Sequence, residues 1–340
     1  MARKAGATSP LRVGVAGTGV MGRRHAQNIA ALWPRAQLVA VADSRPEAAQ
    51  SVALELGCDW HSDAVEMIAR RDLQAVVVVT AADTHAQLAT VAAEYGKDVL
   101  VEKPLALTLE EARAAAGAAD RAGVRLQVGF MRRYDPSYRE AFEAIERGDV
   151  GRPVLMMAIS RDAQSPPRSY FASGGAGGIF IDSGIHDFDL ARWLMRDEVK
   201  SVSATGALVA RPDLADVQPV DAAIATLTFR GGAVGTVQVY RNAVYGYDIR
   251  TEIVGTEGTV LVGDHRWRPV EVLDAQSIRH SMAQHWLDRF AEAYALEMAD
   301  WVQRMSSGQP PGVSGEDGIR AIAIALAAEE SRETGRVVDL

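Results

Sequence analysis

The chain has 340 residues, 48% of them hydrophobic, with 36 basic against 44 acidic side chains and a net charge of −8. That length favours two domains with a large core, and the acidic balance excludes an electrostatic footprint for nucleic acid or a membrane surface, so a small substrate is expected. Cys58 is the only cysteine, which excludes an intrachain disulfide and fits a reducing, cytoplasmic compartment.

Residues 1–10 are polar and small, without the apolar segment of a secretion signal, and read as a frayed leader. No apolar run approaches the roughly 20 residues that span a bilayer. From residue 11 to 129, short valine-rich runs at 11–16, 38–42, 75–80, 98–101 and 125–128 alternate with alanine-rich helical stretches at 23–31, 47–56, 85–95 and 109–122. Strands with little alternation are covered on both faces, so this half is expected to be a doubly wound parallel sheet. Thr108 is a plausible N-cap, and Gly57, Gly96 and Gly123 stand where helix C-caps belong.

Gly17-Thr18-Gly19-Val20-Met21-Gly22 fits G-x-G-x-x-G, and it follows a strand and opens a helix, the context that distinguishes a dinucleotide loop from an ordinary glycine-rich turn. Its glycines permit the tight turn, the approach of backbone amides to a pyrophosphate, and close packing of helix on strand. Asp43 ends the second strand, where a carboxylate takes the ribose hydroxyls and repels a 2′-phosphate; NAD is therefore favoured, and neighbouring Arg45 leaves NADP as the weaker alternative. Asp43 also suits the N-cap of the next helix, a role that can coexist. Thr80 and His85 border the turn after the third strand, on the cofactor side. Glu102-Lys103-Pro104 closes the strand at 98–101, so Lys103 lies where open α/β sheets place their ligands. There its ammonium can stabilise a developing alkoxide; the bland alternative is a surface lysine paired with Glu102.

Beyond residue 129 the texture changes. A helix at 135–147 and a strand at 153–160 lead into a loop at 161–178 dense in Pro and Gly. Strands at 200–209, 222–229, 233–240, 248–254 and 258–262, joined by turn-length links, imply an antiparallel sheet with an open apolar face for a partner subunit. A helix is expected at 316–332. Asp182 and His186 open an amphipathic helix from about residue 183, and their spacing can bring both to one face, with Asp182 orienting an imidazole that accepts an alcohol proton. Two alternatives stand: acids placed to suit the helix dipole (Asp182, Asp187, Asp189), and a metal site, for which no Cys or His partner has suitable spacing. His25, His61, His265, His280 and His285 have no partner at a readable spacing.

These motifs together resemble the Gfo/Idh/MocA family of nicotinamide oxidoreductases, and within it the inositol 2-dehydrogenases. The landmarks are Gly17 to Gly22, Glu102-Lys103-Pro104, the stretch 129–135, the stretch 178–194, Tyr245-Gly246-Tyr247-Asp248 and Glu316-Asp317-Gly318-Ile319. The resemblance implies an N-terminal Rossmann domain (1–129) that binds NAD through Gly17, Gly19, Val20, Met21, Gly22, Asp43, Arg45, Thr80, His85, Glu102 and Lys103. It implies a C-terminal α/β domain (130–340) with a large, mainly antiparallel open-faced sheet that binds substrate and forms a homodimer or homotetramer. Lys103, Asp182 and His186 are the implied catalytic group, with Lys103–Pro104 as a cis peptide and Arg132 and Tyr245 lining the polyol pocket. Where many inositol 2-dehydrogenases carry a histidine and an asparagine, this chain has Ser160 and Asp162, which leaves the polyol's identity open. The expected activity is NAD-dependent oxidation of a secondary hydroxyl of a cyclic polyol to a ketone. The rivals are a sugar or dihydrodiol dehydrogenase of the same family, an enzyme using NAD transiently for hydrolysis or epimerisation, and a non-catalytic NAD-binding regulator.

Overall fold

The computed structural model describes residues 9–172, 177–217, 220–263, 266, 268 and 270–340. Most of the expected leader, residues 173–176 of the expected Pro/Gly loop, and His265 lie outside the described residues.

Six runs of small and branched residues form one parallel sheet: β1 (Leu11–Ala16), β2 (Ala36–Ala42), β3 (Asp59–His61), β4 (Ala75–Val78), β5 (Asp98–Glu102) and β6 (Leu126–Gly129), in the order β3-β2-β1-β4-β5-β6. Helices α1 (Val20–Ala31), α2 (Pro46–Leu56), α3 (Ala64–Ile68), α4 (His85–Glu94) and α5 (Leu109–Ala122) connect them. The strand order reverses between β1 and β4, and all carboxyl ends share one edge, so the loops after β1, β2, β4 and β5 meet at the switch point where such sheets bind ligands. Helix ends follow local chemistry. The Thr108 hydroxyl accepts the Glu111 amide as the N-cap of α5 and donates to the Glu111 carboxylate, while Gly57 and Gly123 close α2 and α5 in the left-handed conformation. The short β3 and α3 were not evident from periodicity, because three- and five-residue elements hold too few periods.

The second sheet follows the same logic with one departure. After α6 (Pro136–Glu146) come β7 (Pro153–Arg161), α7 (Arg168–Ala172), one turn of π-helix at Phe180–Gly184 and α8 (Ile185–Met195). Then follow β8 (Val199–Ala207), β9 (Ala222–Phe229), β10 (Val234–Tyr240), β11 (Asp248–Gly255), β12 (Thr259–Val262) and a small hairpin, β13 (Glu271–Leu273) with β14 (Ile278–His280). The chain ends with α9 (Trp286–Ser307), α10 (Gly315–Thr334) and β15 (Val338–Asp339). The sheet order is β12-β11-β7-β10-β9-β8-β15, and β7 and β10 are parallel neighbours. Turn-length links imply antiparallel pairing only between consecutive strands. The long excursion through α7 and α8 lets β10 return beside β7 in the same direction. On β7, β9 and β10 alternate residues are buried, and the other face exposes Met157, Ile224 and Val234.

By contacts the chain forms two compact units: residues through Gly129 together with Tyr294–Ile319, and Phe130–Ala293 together with Arg320–Leu340. The contacts first divide at Gly129, as the expected boundary has it, and the chain returns to the first unit at Tyr294. The returning segment is most of α9, a helix the sequence reading passed over. It drives Met298, Trp301, Val302 and Met305 into the core of Val13, Val15, Ile29, Val41 and Leu100.

Candidate active site

In the first unit the switch point is built for an anion and a diol. The β-carbon of a residue replacing Gly22 would sit 1.9 Å from the Gly17 carbonyl oxygen, and one at Gly17 would sit 2.4 Å from that of Val79, so both positions are confined to glycine. A β-carbon on Gly19 would meet nothing within 4 Å. No side chain caps α1 and no acid stands in its first turn, as a bound anion at that end requires. A cavity of about 640 Å³ opens here, lined among others by Gly17, Gly19, Asp43, Arg45, Thr80 and Thr84.

Asp43 receives the Thr18 amide and hydroxyl, both at 2.9 Å, and the Arg45 amide at 3.0 Å. Burial raises its pKa, but those hydrogen bonds outweigh it and hold the group below the usual carboxylate range. It is therefore an ionised acceptor at the end of β2. The Arg45 side chain lies 3.3 Å from it and largely in solvent, where such a pair contributes little. His85, the first residue of α4, places Nδ1 2.8 Å from the Pro104 carbonyl oxygen and Nε2 3.1 Å from that of Thr80. Burial pushes its pKa down, and a neutral ring has only one N–H to share between the two acceptors. Through it the loop after β4 and the loop after β5 are tied together. The Lys103–Pro104 peptide is cis, as the resemblance implies, and the Lys103 amide donates to Glu102 Oε2 at 3.1 Å.

The second unit holds Asp182 and His186. Asp182 lies within the π-turn rather than in the first turn of α8, and α8 itself starts at Ile185. The turn is anchored from below: the Phe180 amide donates to Glu329 Oε1 at 2.8 Å, and Gly178 (φ +134°) leaves room for that carboxylate. Such π-turns recur at functional sites. Asp182 accepts a hydrogen bond from Arg241 Nη2 at 2.7 Å, and Arg241 in turn lies over the Phe171 ring. His186 is buried with its ring edge-on to Phe130 at 6.0 Å.

Next to His186, Asp187 lies at the centre of a buried network. Arg132 Nη1 donates to it at 2.7 Å, the Ser160 hydroxyl donates at 2.6 Å, and Arg132 Nη2 donates to Ser160 at 3.0 Å. Burial pushes the Asp187 pKa up against the charge of Arg132 and the Ser160 hydroxyl; with two donors aimed at it, the ionised form is the one the geometry suits. Arg132 and Ser160, expected among the substrate contacts, thus direct these donors inward to Asp187. Tyr245 is half-exposed; its hydroxyl accepts from Arg161 at 2.8 Å and donates to Asp248 at 2.9 Å. The Asp162 backbone is fixed by Tyr240 and Ala243, and Ser183 Oγ stands 3.5 Å from its carboxylate. Arg241 is not singled out by sequence, and Asp187 reads there only as an acid suited to the helix dipole, because their partners lie 59 and 55 residues away.

Two family models cover the chain: "Oxidoreductase family, NAD-binding Rossmann fold" over residues 11–130 and "Oxidoreductase family, C-terminal alpha/beta domain" over residues 143–340. Among curated relatives, the scyllo-inositol 2-dehydrogenase (NAD(+)) of Bacillus subtilis is 38% identical over 331 residues, covering 97% of this chain and 96% of the relative. The myo-inositol 2-dehydrogenase of Thermotoga maritima is 36% identical over 332 residues, covering 97% and 98%. Among solved structures, scyllo-inositol dehydrogenase from Lactobacillus casei with bound NAD(H) and scyllo-inositol superposes with a TM-score of 0.90 at 30% identity, covering 97% of this chain and 99% of the other.

Proposed function

The chain belongs to the GFO_IDH_MocA oxidoreductase family, and from that premise we propose that it is an inositol 2-dehydrogenase, oxidising one secondary hydroxyl of a cyclic polyol to a ketone with NAD. It is an NAD-dependent oxidoreductase acting on CH–OH groups. The observation that carries the substrate class is the end-to-end kinship with inositol 2-dehydrogenases in a chain that holds Lys103, Asp182 and His186.

When bound, NAD supplies the acceptor for the hydride. Gly17, Gly19, Val20, Met21 and Gly22 would hold its pyrophosphate at the start of α1, and Asp43 would take the ribose hydroxyls. Arg45, Thr80 and His85 border the same pocket, and Glu102 holds the Lys103 backbone. The Lys103 ammonium donates to the alcohol oxygen and stabilises the alkoxide as it forms. His186 accepts the hydroxyl proton, and the Asp182 carboxylate, held by Arg241, favours the imidazolium that results. Arg132, Ser160, Asp162 and Tyr245 are assigned to the polyol pocket, Arg132 and Ser160 while also fixing Asp187, the residue after His186. The finer reading adds a cytoplasmic homotetramer or homodimer; the exposed Met157, Ile224 and Val234 on the second sheet support a covered face there. Among the described residues no helix is long and apolar enough to cross a membrane.

The test is near-ultraviolet absorbance of the reduced nicotinamide with NAD or NADP against myo-, scyllo- and D-chiro-inositol, glucose, xylose and a dihydrodiol. Turnover with an inositol and NAD is expected. Activity confined to an aldose or a dihydrodiol would transfer the protein to the family's sugar or dihydrodiol dehydrogenases, with Asp162 the first residue to examine. Replacing Asp43 with serine is expected to lower kcat/KM for NAD by about 10- to 100-fold and to narrow its lead over NADP, since the carboxylate both binds the diol and repels a 2′-phosphate. An unchanged NAD/NADP ratio would remove Asp43 from cofactor selection.

A further inference from the structure

Behind Lys103, in the first unit, three titratable side chains converge from three elements: His25 on α1, Glu102 on β5 and Glu297 on α9. Glu102 is 7% exposed, His25 and Glu297 not at all, and their ligand-type atoms lie within 4.8 Å of one another. His25 Nε2 is 2.7 Å from Glu102 Oε1, Glu102 Oε2 accepts the Lys103 amide, and the Glu102 carboxyl lies so close over β6 that a β-carbon on Gly129 would be 3.1 Å from it. Neither oxygen of Glu297 has a hydrogen-bond partner among the described residues, nor does His25 Nδ1.

The shape of the cluster separates two uses. A zinc held tetrahedrally by imidazole and carboxylate at about 2 Å from each keeps those two atoms roughly 3.3 Å apart. The 2.7 Å contact is instead that of a proton shared between His25 and Glu102. Two carboxyls this close in a dry interior do not both carry charge. Burial opposes the charge on Glu102, but His25 and Lys103 hold it ionised; Glu297 has only burial and the repulsion of Glu102 and Asp300, and keeps its proton.

We propose that Glu297, with His25, is a positioning residue for Lys103: the neutral acid and the imidazole fix the Glu102 carboxylate from two sides, and Glu102 fixes the backbone of the lysine. Glu297 stands 195 positions beyond Glu102, on the segment that returns to the first unit. From α9 a protonated Glu297 places its carboxyl within 4.8 Å of the Glu102 carboxylate, and from α1 His25 holds that carboxylate at 2.7 Å. Glu297 touches neither substrate nor cofactor in this role. The inference rests on the role proposed for Lys103.

The experiment compares Glu297→Gln, which keeps shape, neutrality and a donor, with Glu297→Met, which keeps volume alone, and adds His25→Gln as an independent variant. Each is assayed for kcat and KM with an inositol, for NAD Kd by fluorescence titration, for melting temperature and for bound metal; Lys103→Ala is run beside them. Glu297→Gln is expected to stay within about threefold of the parent kcat. Glu297→Met and His25→Gln are expected to lose about 10- to 100-fold in kcat, the scale of a misplaced catalytic group, with NAD Kd and polyol KM little changed. The proposal is overturned if Glu297→Met keeps kcat, if Glu297→Gln loses as much as Glu297→Met, or if stoichiometric metal leaves with Glu297. Should Glu297→Met not fold, Glu297→Gln and His25→Gln decide alone. If Lys103→Ala itself retains turnover, the lysine's role fails whatever the other variants show.

Discussion

Lys103→Ala is expected to lower kcat by about 10²- to 10³-fold or more, while NAD binds within about threefold of its parent affinity. The magnitude is that of removing one preorganised donor from a developing oxyanion in a site shielded from water. The cofactor effect is small because the pyrophosphate and ribose contacts come from the glycine loop and Asp43, which follow strands β1 and β2. Single-turnover rates and NAD titration on the same preparation check it. Lys103→Arg sharpens the result: it keeps the charge but replaces a compact ammonium with a planar fork, so rescue should be poor. Comparable turnover in Lys103→Ala would refute the role.

Asp187→Ala is expected to destabilise the second unit by about 3–5 kcal/mol, because it leaves the Arg132 guanidinium, 2% exposed, without its counter-ion. For a unit of this size that corresponds to a melting temperature lower by roughly 6–20 °C. The double change Arg132→Met with Asp187→Leu should recover much of the loss, since a buried ion pair exchanged for apolar groups of similar volume is often neutral. Scanning calorimetry on the three proteins decides. If the single variant melts with the parent, the network does not hold this part of the fold. Asp187 reads in sequence as an acid placed to suit a helix dipole; its burial makes it the anchor of Arg132 and Ser160 instead.

That difference shows what was legible. The first sheet, its glycine loop, Asp43, the Thr108 cap and the position of Lys103 after β5 all follow from local signals: valine runs, glycines at turns, and a hydroxyl three residues before an acid. Helix α9 carried a readable stripe at Phe290, Met298, Trp301, Val302 and Met305, but Glu297 stands among them and breaks the pattern. The break is informative: an acid on the buried side of a helix marks a polar cluster inside. Partnerships such as Arg241 with Asp182, Arg132 with Asp187, and His25 with Glu102 left no trace in spacing, because a buried pair depends on tertiary closeness and not on period. The parallel contact of β7 with β10 was hidden for the same reason.

The returning segment also sets a timetable for synthesis. A ribosome that has released residues through Gly129 has delivered every strand of the first sheet, yet not Met298, Trp301, Val302 or Met305, which fill its core. The nascent sheet therefore waits, with that apolar face uncovered, for about 175 further residues, on the order of ten to thirty seconds at ordinary elongation rates. During that interval it is a natural client for a chaperone, and a fragment cut at residue 129 would inherit the same exposed face permanently.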